Sequence, residues 1–175
     1  MDRSVLGAFT ACALSLASFT VAFEGTPDFT GTWAINTAKS DDFNKEVLAS
    51  WGDPNRMSPK DRRIAERLEL LASAFDRFEI RQSQRDITLY HQDDVRIYYI
   101  DGKKHTRETP WGEKLETVTN WEGDELHLRT DGKDLGEVDE MYAFEGAQMV
   151  YTVRVKLKSA KEDLVVQSYF DRARQ

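Results

Sequence analysis

Apolar and polar positions alternate on two different periods along this chain, and the change falls near residue 75. Phe29, Trp33 and Ile35 share one parity, with Gly31 between them, which predicts a half-buried strand over Phe29–Asn36. Ser40 then offers a helix cap, followed by Asp41 and Asp42 in the first turn. Phe43, Val47, Leu48 and Trp51 form the apolar stripe of this first helix, and Gly52 ends it. Ser58-Pro59 opens a second helix with Asp61 in its first turn, and Ile64, Leu68, Leu71 and Phe75 recur at helical spacing. The two helices form a hairpin joined by the polar turn Asp53 to Met57. Its stripe needs a partner, which predicts that Ser58–Phe75 lies over one opening of a barrel.

After Phe75 the period becomes two and stays there. Strands are expected at Arg77–Gln82, Asp86–His91, Val95–Ile100, His105–Thr109, Lys114–Trp121, Glu125–Thr130, Leu135–Phe144, Gln148–Leu157 and Asp163–Asp171. Turn signals such as Gln92-Asp93-Asp94, Asp101-Gly102, Glu122-Gly123-Asp124, Asp131-Gly132 and Glu145-Gly146 separate most of them. Short, regular connections imply sequential antiparallel pairing. The expected fold is mainly β, an up-and-down antiparallel barrel of about ten strands with a helical hairpin after the first. A meander of this length closes on itself rather than leaving two long edges.

The amino terminus stands apart. Val5 to Phe23 is apolar and uncharged, preceded by Arg3 and followed by polar residues, with Thr20-Val21-Ala22 as a small-residue cleavage site. Residues 1–22 are read as a signal peptide and residues 23–175 as one domain, exported to a periplasm or secreted. The alternative is an uncleaved N-terminal membrane anchor, since a span needs about 20 apolar residues. Cys12 lies inside this run and is the only cysteine, so the cleaved chain has no thiol or disulfide chemistry. The apolar stretch continues beyond Cys12, which argues against a lipidated cysteine. The net charge of −7, without a basic stripe, excludes nucleic acid as a partner and disfavours anionic lipid surfaces.

Phe29-x-Gly31-Thr32-Trp33, the spaced Ser40-x-x-Phe43 and a helix ending in Gly52 resemble the opening of fatty-acid-binding proteins of the calycin superfamily. Leu164 to Ala173 resembles that family's last strand. Lys39-Ser40, Trp121-Glu122-Gly123-Asp124 and Phe170-Asp171-Arg172 are similar to a set of secreted bacterial lipocalin-like proteins. The resemblance implies a portal lid formed by the two helices. It also implies a barrel-closing role for Gly31, Trp33 and Arg172, with the Arg172 guanidinium over the Trp33 ring. One departure stands out. The family's Arg-x-Tyr carboxylate clamp on the last strand falls here on Ser168 and Phe170, so fatty-acid binding by that mode does not carry over.

Candidate ligand contacts follow from strands that are apolar on both faces. Val95, Ile97 and Tyr99 oppose Arg96, Tyr98 and Ile100, while Met149, Tyr151, Val153, Val155 and Leu157 oppose the polar-rich face bearing Arg154. Parity leaves the inner face open: the first sets fit a solid core, as in many small barrels. Alternatively Tyr98, Tyr151, Tyr169 and Phe170 line a pocket with Ser168, and Arg96 or Arg154 is a displaced anion partner. His91, His105 and His127 lack metal-ligand spacing, and no metal or cofactor is expected. Asp134, Glu137, Asp139 and Glu140 read as a solvated face, and neither a phosphate loop nor a Gly-x-Ser-x-Gly elbow is present. Two functions remain: a non-enzymatic exported barrel holding a small apolar ligand, or a filled barrel acting through its surface on another envelope protein. A cofactor-free enzyme using the cavity is a third.

Overall fold

A computed structural model describes residues 25–72, 76–92, 94–109, 112–133, 136–156, 160 and 162–173, apart from the side chains of 70–72. The expected export segment, Phe75 and Asp134 lie outside these residues. Among the described residues no helix is long and apolar enough to cross a membrane. Ten strands form one antiparallel sheet: β1 (Gly31–Ile35), β2 (Arg77–Gln82), β3 (Asp86–His91), β4 (Asp94–Tyr99), β5 (Lys104–Glu108), β6 (Lys114–Glu122), β7 (Glu125–Gly132), β8 (Gly136–Glu145), β9 (Gln148–Val155) and β10 (Leu164–Arg172). Their order is β4-β3-β2-β1-β10-β9-β8-β7-β6-β5. The first and last strands pair, Trp33 opposite Arg172 and Ile35 opposite Phe170, which bends the meander into a barrel.

Closure is incomplete. Sequential pairing was expected at every step, yet among the described residues no ladder joins β4 to β5. Side chains bridge this seam instead: the Tyr99 and His105 rings lie 4.6 Å apart, and the Arg107 guanidinium sits 5.8 Å from the Tyr98 ring. The Gly102 amide turns away to donate to the Thr119 carbonyl on β6 at 3.2 Å.

Helix α1 (Phe43–Trp51) is capped by Asp42, whose Oδ1 accepts the Lys45 amide at 3.2 Å, rather than by Ser40. The Ser40 hydroxyl serves tertiary structure: its Oγ donates to the Asn36 carbonyl at 2.9 Å and accepts the Tyr169 amide at 2.9 Å. Asp41 likewise accepts the Gln167 amide at 2.8 Å, so the entry to α1 is bonded to β10. Gly52, at φ +87, ends the helix by returning its amide to the Leu48 carbonyl. Helix α2 (Pro59–Ala72) begins as expected, with the Ser58 hydroxyl accepting the Asp61 amide at 3.1 Å and bonding the Asp61 carboxylate at 2.9 Å.

Because β1 leads into α1 and α2 returns to β2, both helices lie at one end of the barrel. Ile64, Ala65 and Leu68 of α2 and Phe43 and Val47 of α1 are buried in one continuous core with the inner faces of the strands. Leu48, expected in the α1 stripe, is instead 54% exposed. Arg67 ties α2 to the barrel through Glu113, just before β6, at 3.1 Å. At the opposite end Phe29 is the plug, stacked on Phe144 at 4.8 Å and on Trp121 at 5.9 Å. Its carbonyl accepts the Trp33 Nε1–H at 2.8 Å. There the Arg172 guanidinium lies 4.9 Å from the Trp33 ring. Gly31, at φ +146, leaves room for it, since a Cβ would stand 2.9 Å from Arg172 Nη1.

Candidate functional site

Cross-strand register decides which parity faces inward. Ile80 opposes Leu89 across β2–β3, and Ile87 and Leu89 oppose Tyr98 and Arg96 across β3–β4. The inner face of β4 is therefore the Arg96–Tyr98 face. Val95, Ile97 and Tyr99, one of the two faces that parity left open as the inner one, stand on the outer surface at 52%, 49% and 44% exposure. On β9 the inner set is Met149, Tyr151, Val153 and Val155, which match Phe170, Ser168, Val166 and Leu164 of β10.

Of the sequence-derived candidates, Arg96, Tyr98, Tyr151, Ser168 and Phe170 share the barrel interior. Arg154 and Tyr169 do not. Arg154 pairs with Asp139 and Val165 on the outer parity of the sheet and is exposed. Tyr169 faces outward beneath the Lys39 ammonium, 5.8 Å from its ring. Where the fatty-acid clamp would be, Ser168 and Phe170 are buried, and Phe170 meets Phe78 edge-on at 5.0 Å.

Two interior residues escaped the sequence reading. Glu140, read as part of a solvated acidic face, is 6% exposed and points inward between Val138 and Tyr142. Its neighbours Glu137 and Asp139 are the solvated ones, at 3.6 and 3.0 Å from Arg129 on the outer surface. Strict alternation with Val138, Tyr142 and Phe144 is the signal that places Glu140 inside. The other residue is Arg107 of β5, opposite Leu115 and on the same parity as His105.

These groups share the inner surface with the apolar side chains of Ile80, Leu89, Leu128, Met149, Val153 and Val166. The Tyr151 hydroxyl donates to Glu140 Oε1 at 2.5 Å, and the Tyr142 and Tyr151 rings lie 4.7 Å apart. Arg96 pairs with Asp94 at 2.7 Å, its side chain only 12% exposed. Burial acts against the charged form of Arg96, but Tyr98, Asp94 and Glu140 outweigh it and hold its pKa above the ordinary value. Burial, followed by the charge of Glu140, raises the pKa values of Tyr98, Tyr142 and Tyr151. The Arg107 and Arg96 guanidiniums oppose that rise at Tyr98 and Tyr142, so one carboxylate and two cations act on the same phenols. Arg107 itself makes no hydrogen bond or ion pair among the described residues, and its Nε is buried without a partner. The remaining polar wall is hydroxylic: Thr117 and Thr130 bond each other at 3.0 Å, and Thr119 and Ser168 are buried nearby on the same inner face.

Beside α2 a cleft of about 250 Å³ is lined by Lys60, Arg63, Ile64 and Arg67, a local positive patch on an acidic chain. Among the described residues no group of His, Cys, Asp and Glu could hold a metal ion. His105 bonds Asp101 at 2.9 Å, and His127 lies beside Glu125 at 3.1 Å.

Among the described residues, ten antiparallel strands, a seam after the fourth and a two-helix cover after the first form a nearly closed barrel that fits the fold of fatty-acid-binding-protein-like calycins. Among solved structures the chain is similar to lipid binding protein 8 of Caenorhabditis elegans, at 14% identity and TM-score 0.54, over 83% of this chain and 95% of that one. It is also similar to zebrafish ileal bile-acid-binding protein complexed with cholic acid, at 15% identity and TM-score 0.52, over 83% and 98% of the two chains. Secretory abundant heat soluble protein 4 of Ramazzottius varieornatus has the same architecture at 12% identity and TM-score 0.52, over 83% and 94%. No protein-family model and no curated protein matches the sequence. At such identities the likeness defines the fold, and function has to be argued from the site.

Proposed function

We propose that this chain is an exported, non-enzymatic carrier that encloses one small, largely apolar ligand in its barrel, without the Arg-x-Tyr fatty-acid clamp. The observation that carries this reading is the presence of buried, partly unmatched polar groups in an apolar interior. A barrel selected only for stability would match its buried polar groups or omit them, because each orphan costs about 1–3 kcal/mol. A few convergent polar groups in an apolar wall are what orient a ligand. The solved structures named for lipid binding and for bile-acid binding support the same reading by analogy. Export rests on the uncharged run Val5–Phe23 and on the resemblance to secreted bacterial lipocalin-like proteins.

The test is native mass spectrometry of purified protein, before and after delipidation and exposure to a mixed lipid extract. One ligand per chain, removed and then restored, is the expected result. Protein that takes up nothing would favour the alternative, a filled barrel acting on another envelope protein through its surface. The outward stripe of Val95, Ile97 and Tyr99 is the observation that favours that alternative.

A further inference from the structure

Among the described residues, the buried side-chain nitrogen and oxygen atoms without a hydrogen-bond partner are Trp51 Nε1 and Arg107 Nε. Both are donors, and no buried side-chain oxygen joins them. Trp51 belongs to the lid, at the end of α1. Arg107 lies on β5 opposite the fully buried Leu115, so its side chain stands on the inner parity of the sheet. Its guanidinium sits 5.8 Å from the Tyr98 ring of β4, across the seam that no ladder of described residues closes. Resting on the carrier reading above, we infer that Arg107 anchors the ligand at this seam and that the ligand's polar end is a hydrogen-bond acceptor, the oxygen of an ester or a carboxylate.

Other polar side chains of the inner surface already have partners. Arg96 pairs with Asp94 at 2.7 Å, Thr117 and Thr130 bond each other at 3.0 Å, and Tyr151 donates to Glu140 at 2.5 Å. Arg107 has neither a hydrogen bond nor an ion pair among the described residues. A guanidinium carries five N–H donors and no acceptor, so only an acceptor completes it. Unlike a lysine, it cannot shed its proton to escape the cost of burial. Bonds from a charged donor are about twice as strong as neutral ones, and the planar fork takes two oxygens at once, as an ester or a carboxylate presents them. Position fits as well. Arg107 is half-buried, so a polar end held there keeps contact with solvent while an apolar tail runs past Leu115 into the core.

The experiment is displacement of a neutral fluorescent lipid probe, near neutral pH, by a carboxylic acid, its methyl ester and the primary amine of the same chain length. Wild type is expected to hold the acid and the ester about tenfold or more above the amine, the worth of one hydrogen bond from a charged group. The amine offers only donors and a like charge. Arg107→Met keeps an unbranched apolar side chain without donors, so the acid and the ester should lose that margin. The order of acid and ester in wild type tells a carboxylate from a neutral carbonyl as the acceptor. If Arg107→Met fails to fold, the Arg107 Nε–H resonance of wild type, assigned by its loss in Arg107→Lys, serves instead: it should shift with the bound ester. An amine that competes as well as the other two, a margin unchanged in Arg107→Met, or an Nε–H unmoved by bound ester would overturn the inference and leave the carrier reading intact. A probe that never binds would overturn both.

Discussion

Truncating Leu68 tests how the helical hairpin is held to the barrel. Leu68 is fully buried, on the α2 face that shares one core with the inner surface of the strands. If α2 is docked as described, Leu68→Ala loses the transfer energy of the deleted carbons and leaves a cavity beneath the lid. Comparable buried leucines cost about 2–5 kcal/mol. With ~3 kcal/mol as a central value, and about 2–4 °C per kcal/mol for a domain of this size, the melting temperature should fall by about 6–12 °C. Leu48→Ala on α1 is the internal control, because Leu48 is 54% exposed and alanine is the better helix former. Its effect should stay within about 0.5 kcal/mol. Circular dichroism melts and urea titrations of the two variants against wild type give the comparison. Near-identical melting of Leu68→Ala and wild type would refute the docking of α2, whatever the rest of the barrel does.

Three further outcomes are expected. Gly31→Ala should cost about 1–3 kcal/mol, because φ is +146 and the new Cβ would meet Arg172 Nη1 at 2.9 Å; part of that cost should disappear in an Arg172→Ala background, as a double-mutant cycle in urea would show. Tyr98, Tyr142 and Tyr151 should ionise last in an alkaline absorbance titration, because burial and Glu140 hold them above the ordinary value of 10.0, and Glu140→Gln should bring their titration to lower pH. The unfolded chain releases these protons first, so the associated stability is complete below about pH 10 and is lost as pH rises toward the folded values; thermal melts across that range would detect it. N-terminal sequencing of exported protein should begin at Phe23 or close to it, whereas full-length protein in the membrane fraction would establish the anchor.

Strand positions were legible in the sequence because almost every strand ends at a residue with a turn preference. β2 and β3 begin and end where alternation and Asp or Ser signals place them. The side each strand turns inward was not legible where both faces are apolar. β4 carries Val95, Ile97 and Tyr99 against Arg96 and Tyr98, and only the pairing of Ile87 and Leu89 with the second set decides. The seam was hidden for a related reason. Asp101-Gly102 reads as an ordinary hairpin turn, whereas the chain there bonds back to β6 and leaves β4 and β5 joined by side chains.

The same limits governed the site. Trp33, Gly31 and Arg172 were found through the resemblance at the two chain ends, and the structure brings the three into contact. Glu140 was missed because three nearby acids suggested solvent, although two-residue alternation with Val138 and Tyr142 points it inward. Ser40 reads as a helix cap in the sequence because Ser40, Asp41 and Asp42 are all suitable caps in a row. Only β10, packed alongside, shows that the first two bond to the strand and the third caps the helix.

Enclosure of the ligand is tested most directly by intermolecular nuclear Overhauser effects in a complex with an uncharged long-chain lipid such as a fatty alcohol. Contacts from the alkyl chain to the Tyr142, Tyr151 and Phe170 rings are expected, from a single saturable site. Contacts confined to the outer stripe of Val95, Ile97 and Tyr99, or no saturable binding, would contradict a carrier role and place the function on the barrel surface.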